Sequence, residues 1–171
     1  MGRSRMPALR LGLGVTILIL MLDQATKTFV LHWSDTWDHP VRPVMPFLDL
    51  VAIWNTGISY GLFPQGEAGR WVLVAINVAA ALLFSVWLAR TARRLEGLAL
   101  GLLIGGAIGN AVDRIVYGAV FDFISLHAFG WRWYVFNLAD AAVVMGVGLL
   151  LYDAFFMRAS KSPPSDANAD G

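Results

Sequence analysis

Asp122 and Asp140 are the residues best placed to do chemistry, because neither has a cation beside it in the sequence. Asp122 sits near the end of GNAVDRIVYGAVFDF, Gly109 to Phe123, and Asp140 lies within FNLADAAV, Phe136 to Val143. Two carboxylates at close range in low dielectric cannot both ionise, so one of them keeps its proton. Such a pair can activate a single water. The ionised partner polarises it towards a carbonyl, and the protonated partner gives its proton to the leaving amine. The plainer alternative is two unconnected aspartates at an interface, and spacing alone leaves both readings open.

More polar residues recur at helical spacing. Asp23 and Lys27 are i, i+4; Asn110, Asp113 and Arg114 are i, i+3 and i+4; Asn137 and Asp140 are i, i+3. Each set shares a helix face. An ionisable residue inside a membrane span costs roughly 2.5–3.5 kcal/mol on insertion scales and usually marks function. The competing reading makes Asp113–Arg114 and Asp23–Lys27 structural pairs near the interface. Other chemistries have less support. His32, His39 and His127 form no ligand-spaced pair and read as interfacial residues. A Ser/Lys dyad of Lys27 with Ser59 or Ser125 is conceivable, but only one lysine lies in any span, and no H-E-x-x-H occurs. With no cysteine, disulfides, thiolate metal sites and a cysteine nucleophile are excluded together.

The elements that must position these residues are set by composition. The chain has 171 residues, 57% hydrophobic and 15% charged, whereas a soluble domain carries about 25% charged residues. The excess apolar surface points to lipid as solvent. Four stretches, at about 9–33, 70–90, 96–116 and 135–157, are long and apolar enough to span. The first begins like a signal peptide but runs past Asp23 without a clear small-residue cleavage site, so it is expected to be retained. Gly101, Gly105 and Gly109, in small-xxx-small register, predict close helix packing. A net charge of +1 offers no basic field for nucleic acid.

Eight of the thirteen basic residues lie in the N-terminus, the Arg90–Arg94 segment and the C-terminus, so both termini are expected in the cytoplasm. The connections at 34–70 and 117–133 then face outward, with tryptophans suited to an interfacial belt. The first of them mixes β-formers with Pro and Gly and predicts short strands at the membrane surface. The expected fold is therefore an all-α membrane protein: a four-transmembrane-helix bundle with a small extracytoplasmic β-sheet between helices 1 and 2. It forms a single domain over residues 1–158, monomeric and surrounded by membrane lipids, with 159–171 as a disordered cytoplasmic tail. This topology gathers Asp23, Lys27, Asn55, Asn110, Asp113, Arg114, Asp122, Asn137 and Asp140 at the outer end, leaving ordinary flanking arginines at the inner end. A small proton- or cation-coupled transporter would need polar residues at several depths, and the inner halves of the spans are apolar. A non-catalytic scaffold would make the carboxylates dispensable.

Four ordered blocks also resemble a known family, the lipoprotein signal peptidases or type II signal peptidases of bacteria. DQATK at Asp23–Lys27 matches its D-x-x-x-K block, and NTGISYG, from Asn55 through Gly57 to Gly61, resembles N-x-G-x-x-[FY]-G. GGAIGNAVDRIVYGAVFDFI at Gly105–Ile124 and FNLADAAV at Phe136–Val143 resemble the remaining two. The resemblance implies an aspartic endopeptidase of the bacterial inner membrane, with Asp122 and Asp140 as its catalytic pair and no metal or cofactor. Its substrate would be a prolipoprotein whose cysteine already carries diacylglycerol, cut just before that cysteine. Asp23, Lys27, Asn55, Gly57, Asn110, Asp113, Arg114 and Asn137 would shape the site or contact substrate.

Overall fold

The computed structural model describes residues 5–57 and 66–157. Expectations for the tail at 159–171, for Ser59 and for the end of NTGISYG lie outside these residues. Among the described residues, four helices are long and apolar enough to cross a membrane. They are α1 (Met6–Ser34), α2 (Glu67–Arg90), α3 (Arg94–Tyr117) and α4 (Leu138–Tyr152), the last continued by a π-helical turn at Asp153–Met157.

Helix α3 is the axis of the bundle. Of its most apolar stretch 78% is buried, against 22% in each of the others, and α1, α2 and α4 pack mainly on α3. Its small residues explain why. A Cβ at Gly101 would stand 2.5 Å from the Gly12 carbonyl oxygen, and one at Gly105 would stand 2.9 Å from Ile19 Cβ. Backbones therefore approach along the predicted glycine register, which is how membrane helices gain packing where the hydrophobic effect gives nothing. Across the same seam the Thr16 hydroxyl lies 3.2 Å from the Gly101 carbonyl, which accepts its hydrogen bond. Contacts of Ala8 with Gly97, Gly12 with Gly101 and Asp23 with Gly109 rise together in number, so α1 and α3 run parallel.

At one end of the bundle lies an antiparallel sheet in the order β1 (Val41–Met45), β2 (Leu48–Asn55), β3 (Val120–Ala128) and β4 (Trp131–Phe136). Only β1 and β2 come from the connection between α1 and α2. The expectation of a sheet confined to that connection is corrected: half of it is supplied between α3 and α4. Residues 135–137, assigned from hydropathy to the fourth span, belong to β4 and the cap of α4. The aromatic-rich strand WRWYVF pairs with β3, a preference that mean apolarity does not reveal.

Strand β3 is the one that matters for the site. Phe121 and Phe123 face Val30 of α1 in a small apolar cluster, so strand alternation turns Asp122 to the opposite face. Gly118, at φ 82°, ends α3 in the left-handed conformation and starts β3 two residues later.

The opposite end of the bundle also holds a buried polar cluster, contrary to expectation. Arg93 Nη2 donates to Asp153 Oδ1 at 2.5 Å, and Arg93 Nη1 lies 3.4 Å from Glu96 Oε1. Thr91 donates to Glu96 Oε2 at 2.5 Å. Glu96 and Asp153 are both buried. The pairing spans 60 residues, so local charge patterns around the arginines could not show it.

Candidate active site

Asp122 is buried on β3, and both its oxygens accept amide hydrogens. Asn137 Nδ2 donates to Oδ1 at 2.7 Å, and Asn55 Nδ2 donates to Oδ2 at 2.9 Å. Asn55 is itself oriented by the Gly57 backbone N–H, which donates to its Oδ1 at 3.1 Å. Asp140 stands in the first turn of α4. Its Oδ1 accepts from Asn110 Nδ2 at 2.7 Å and its Oδ2 from the Asn137 backbone N–H at 3.3 Å. In return the Asp140 N–H donates to Asn137 Oδ1 at 3.0 Å, completing a reciprocal capping box. Asn137 is thus the cap of α4 and not a position on its face, as the i, i+3 spacing had predicted.

One asparagine links the two carboxylates. Asn137 Nδ2 donates to Asp122 and also to Asn110 Oδ1, at 3.2 Å. Asn110 holds Asp140 and accepts a hydrogen bond from Lys27 Nζ at 3.4 Å. Every oxygen of the pair has an N–H donor, which leaves a second lone pair on each for water or a proton.

Behind this layer Lys27 joins α1 to α3. Its Nζ lies 2.8 Å from Asp23 Oδ2 and 2.9 Å from Asp113 Oδ2. With Asn110 these make three acceptors for three N–H bonds, so the ammonium has no lone pair or spare donor for a Ser/Lys dyad. The Asp23–Lys27 pair forms as the spacing predicted. Asp113–Arg114 does not, since Asp113 is held by Lys27, by Gln24 Nε2 at 2.9 Å and by the Phe121 backbone N–H at 3.2 Å. Asp23 also accepts the Ala139 N–H at 2.9 Å. The cluster thereby ties α1, α3, β3 and α4 together just below the carboxylates.

Arg114 corrects the picture of two aspartates without a cation. Its charge lies within electrostatic reach of Asp140 and Asp122 as well as Asp113, and its Nη1 donates to the Asn110 carbonyl at 3.2 Å. Helical geometry aims it at residues the sequence places eight and twenty-six positions away. Asp122, on the sheet, is pushed up to about 6. Burial is the main cause and the charge of Asp140 adds to it, while the Asn55 and Asn137 donors and Lys27 pull the other way.

An apolar cleft of about 770 Å³ opens beside Asp140, between β4 and α4. Phe136, Val144 and Met145 line it, and Trp131, Arg132 and His127 stand towards the sheet. Arg132 Nη1 donates to Asp49 Oδ2 at 3.3 Å, and His127 Nε2 lies 3.2 Å from the same oxygen. Sequence reasoning missed Gln24, Asp49 and Arg132. Gln24 carried a signal, being a polar residue one step from Asp23 in an apolar helix. The Asp49–Arg132 pair, 83 residues apart, carried none.

Residues 15–156 match the family model described as signal peptidase (SPase) II. A protein of Methylobacterium radiotolerans named lipoprotein signal peptidase is 51% identical over 167 residues, covering 96% of this chain and 97% of that one. Its namesake from Methylorubrum extorquens is 49% identical, covering 97% of each. A solved bacterial membrane enzyme superposes with a TM-score of 0.77 at 24% identity, over 90% of this chain and 93% of its own, which shows a shared fold.

Proposed function

The chain belongs to the signal peptidase II family, and from that premise we propose that it is an aspartic endopeptidase working through Asp122 and Asp140. The observation that carries this is one residue, Asn137, whose side-chain amide donates to Asp122 and whose backbone N–H donates to Asp140, beside an apolar cleft that Asp140 lines.

The pair holds one proton. Burial and the neighbouring charge of Asp140 favour Asp122 as its holder. Asp140 takes a proton from water, and the resulting hydroxide adds to the carbonyl carbon of the scissile amide. Asp122 then gives its proton to the amide nitrogen and the C–N bond breaks, releasing a carboxyl on one fragment and an amine on the other. The pair ends with one proton, on Asp140, and exchange with solvent restores the starting state. Arg114 adds a positive charge near both carboxylates. Asp23, Lys27, Asp113 and Gln24 fix Asn110, and Gly57 fixes Asn55, so that the acceptors are set before substrate arrives.

The substrate is a prolipoprotein with diacylglycerol on the cysteine that follows the cut. Its acyl chains occupy the apolar cleft, which meets the bilayer where the aspartates are. The sheet end lies on the outer side of the cytoplasmic membrane, and the end bearing Arg90, Arg93 and Arg94 lies inside. Incubating purified protein with lipidated and unlipidated precursor tests the substrate assignment: only the lipidated form is expected to be cut. Equal cleavage of both would remove the acyl cleft from the account.

A further inference from the structure

Strand β4 is hydrogen-bonded on one side to β3, and among the described residues its other edge carries no strand. Exposed edge groups at a membrane surface need partners, and an edge strand is a template for an incoming chain. This edge has two further properties. It runs directly into Asn137, the residue that holds both aspartates, and its residues Trp131, Arg132 and Phe136 line the cleft that reaches Asp140. A chain laid along β4 would therefore have one end at the carboxylates and its lipid-bearing residue over the apolar cleft.

Polarity decides which part of the substrate fits. Antiparallel pairing sets the incoming chain's N-terminal end beside Phe136, next to the aspartates, and runs it outwards past Arg132 to Trp131. The residues following the scissile bond have that direction. Parallel pairing would instead require the signal peptide to lie extended on β4. An apolar signal segment in the bilayer satisfies its backbone as a helix and has no free N–H groups to offer. At about 3.3 Å per residue, the six residues of β4 accommodate five or six residues of substrate.

We infer that the lipidated cysteine and the four or five residues after it add to the free edge of β4 as an antiparallel fifth strand. This rests on the peptidase reading above and extends it from the lipid to the peptide backbone. It makes the enzyme read the start of the mature lipoprotein by main-chain hydrogen bonds, tolerant of side-chain identity.

A series of synthetic diacylated lipopeptides tests it, each with one backbone amide replaced by an ester, on either side of the cut. The ester removes a single N–H donor and keeps the chain's shape. In a strand only every second residue faces the edge, so kcat/KM is expected to drop about 3- to 10-fold at alternate positions after the cysteine. A flat profile there, or alternation confined to the signal-peptide side, overturns the fifth strand while cleavage of the all-amide parent keeps the peptidase reading. Failure of the parent itself to be cut sinks both.

Discussion

Asp122 shows how one residue's environment becomes a measurable property. Its carboxyl titrates near 3.8 when unperturbed and at about 6 in the fold. Folding therefore favours its protonated form. That contribution to stability is complete below about 3.8 and is lost as pH rises through about 6, a swing of about 3 kcal/mol at most. Thermal unfolding in detergent between pH 4 and 8 is expected to show wild type losing stability relative to Asp122→Asn as pH rises. A difference that stays constant with pH would mean the carboxyl is not strained. The same shift predicts that kcat/KM declines above an apparent pKa near 6, a property of the pair and not of one site. At this scale the sequence was most legible for residue types and least for partners. The pairing of Asp23 with Lys27 follows from one helical turn. The Asn55 and Asn137 amides that clamp Asp122 arrive from 67 and 15 residues away.

Elements succeed or fail here by how closely they approach. Gly109 is the position where packing and site meet, because a Cβ there would stand 2.6 Å from Asp23 Oδ2. Gly109→Ala is expected to destabilise by about 1–3 kcal/mol, typical of overpacking, and to reduce activity by displacing Asp23 from Lys27. Gly148→Ala on α4, with nothing within 4 Å of the added carbon, is expected to leave unfolding temperature and cleavage unchanged. Equal effects of the two changes would remove the glycine seam from the account. The number of helices and the glycine seam were legible in the sequence because apolarity over about 20 residues and a repeat of four are local patterns. The contribution of β3 and β4 to the sheet was not. Their strand character competes with hydropathy at the start of α4 and is settled by pairing, which is non-local.

Among the described residues, a buried polar centre lies at each end of α3. The carboxylate site lies at the sheet end, and the Arg93–Glu96–Asp153 cluster lies at the other. The second clamps the start of α3 to the end of α4. Asp153→Asn is expected to lower stability by about 2 kcal/mol, less than a fully buried pair would because Arg93 is partly exposed. Cleavage by the folded fraction should not change, as read by specific activity beside thermal unfolding. A loss of specific activity with unaltered stability would give this end a functional role. Topology made the convergence at the sheet end legible, since alternating spans bring late α1, late α3 and early α4 together. It gave no warning of the opposite cluster, whose members resemble flanking charges.

The central claim is that Asp122 and Asp140 act together on one water. Purified Asp122→Asn and Asp140→Asn, each assayed against lipidated precursor with binding and thermal unfolding measured alongside, test it most directly. The account predicts that each variant stays folded, still binds precursor and cleaves it at least about a thousandfold more slowly. Cleavage by either variant at close to the wild-type rate would contradict it.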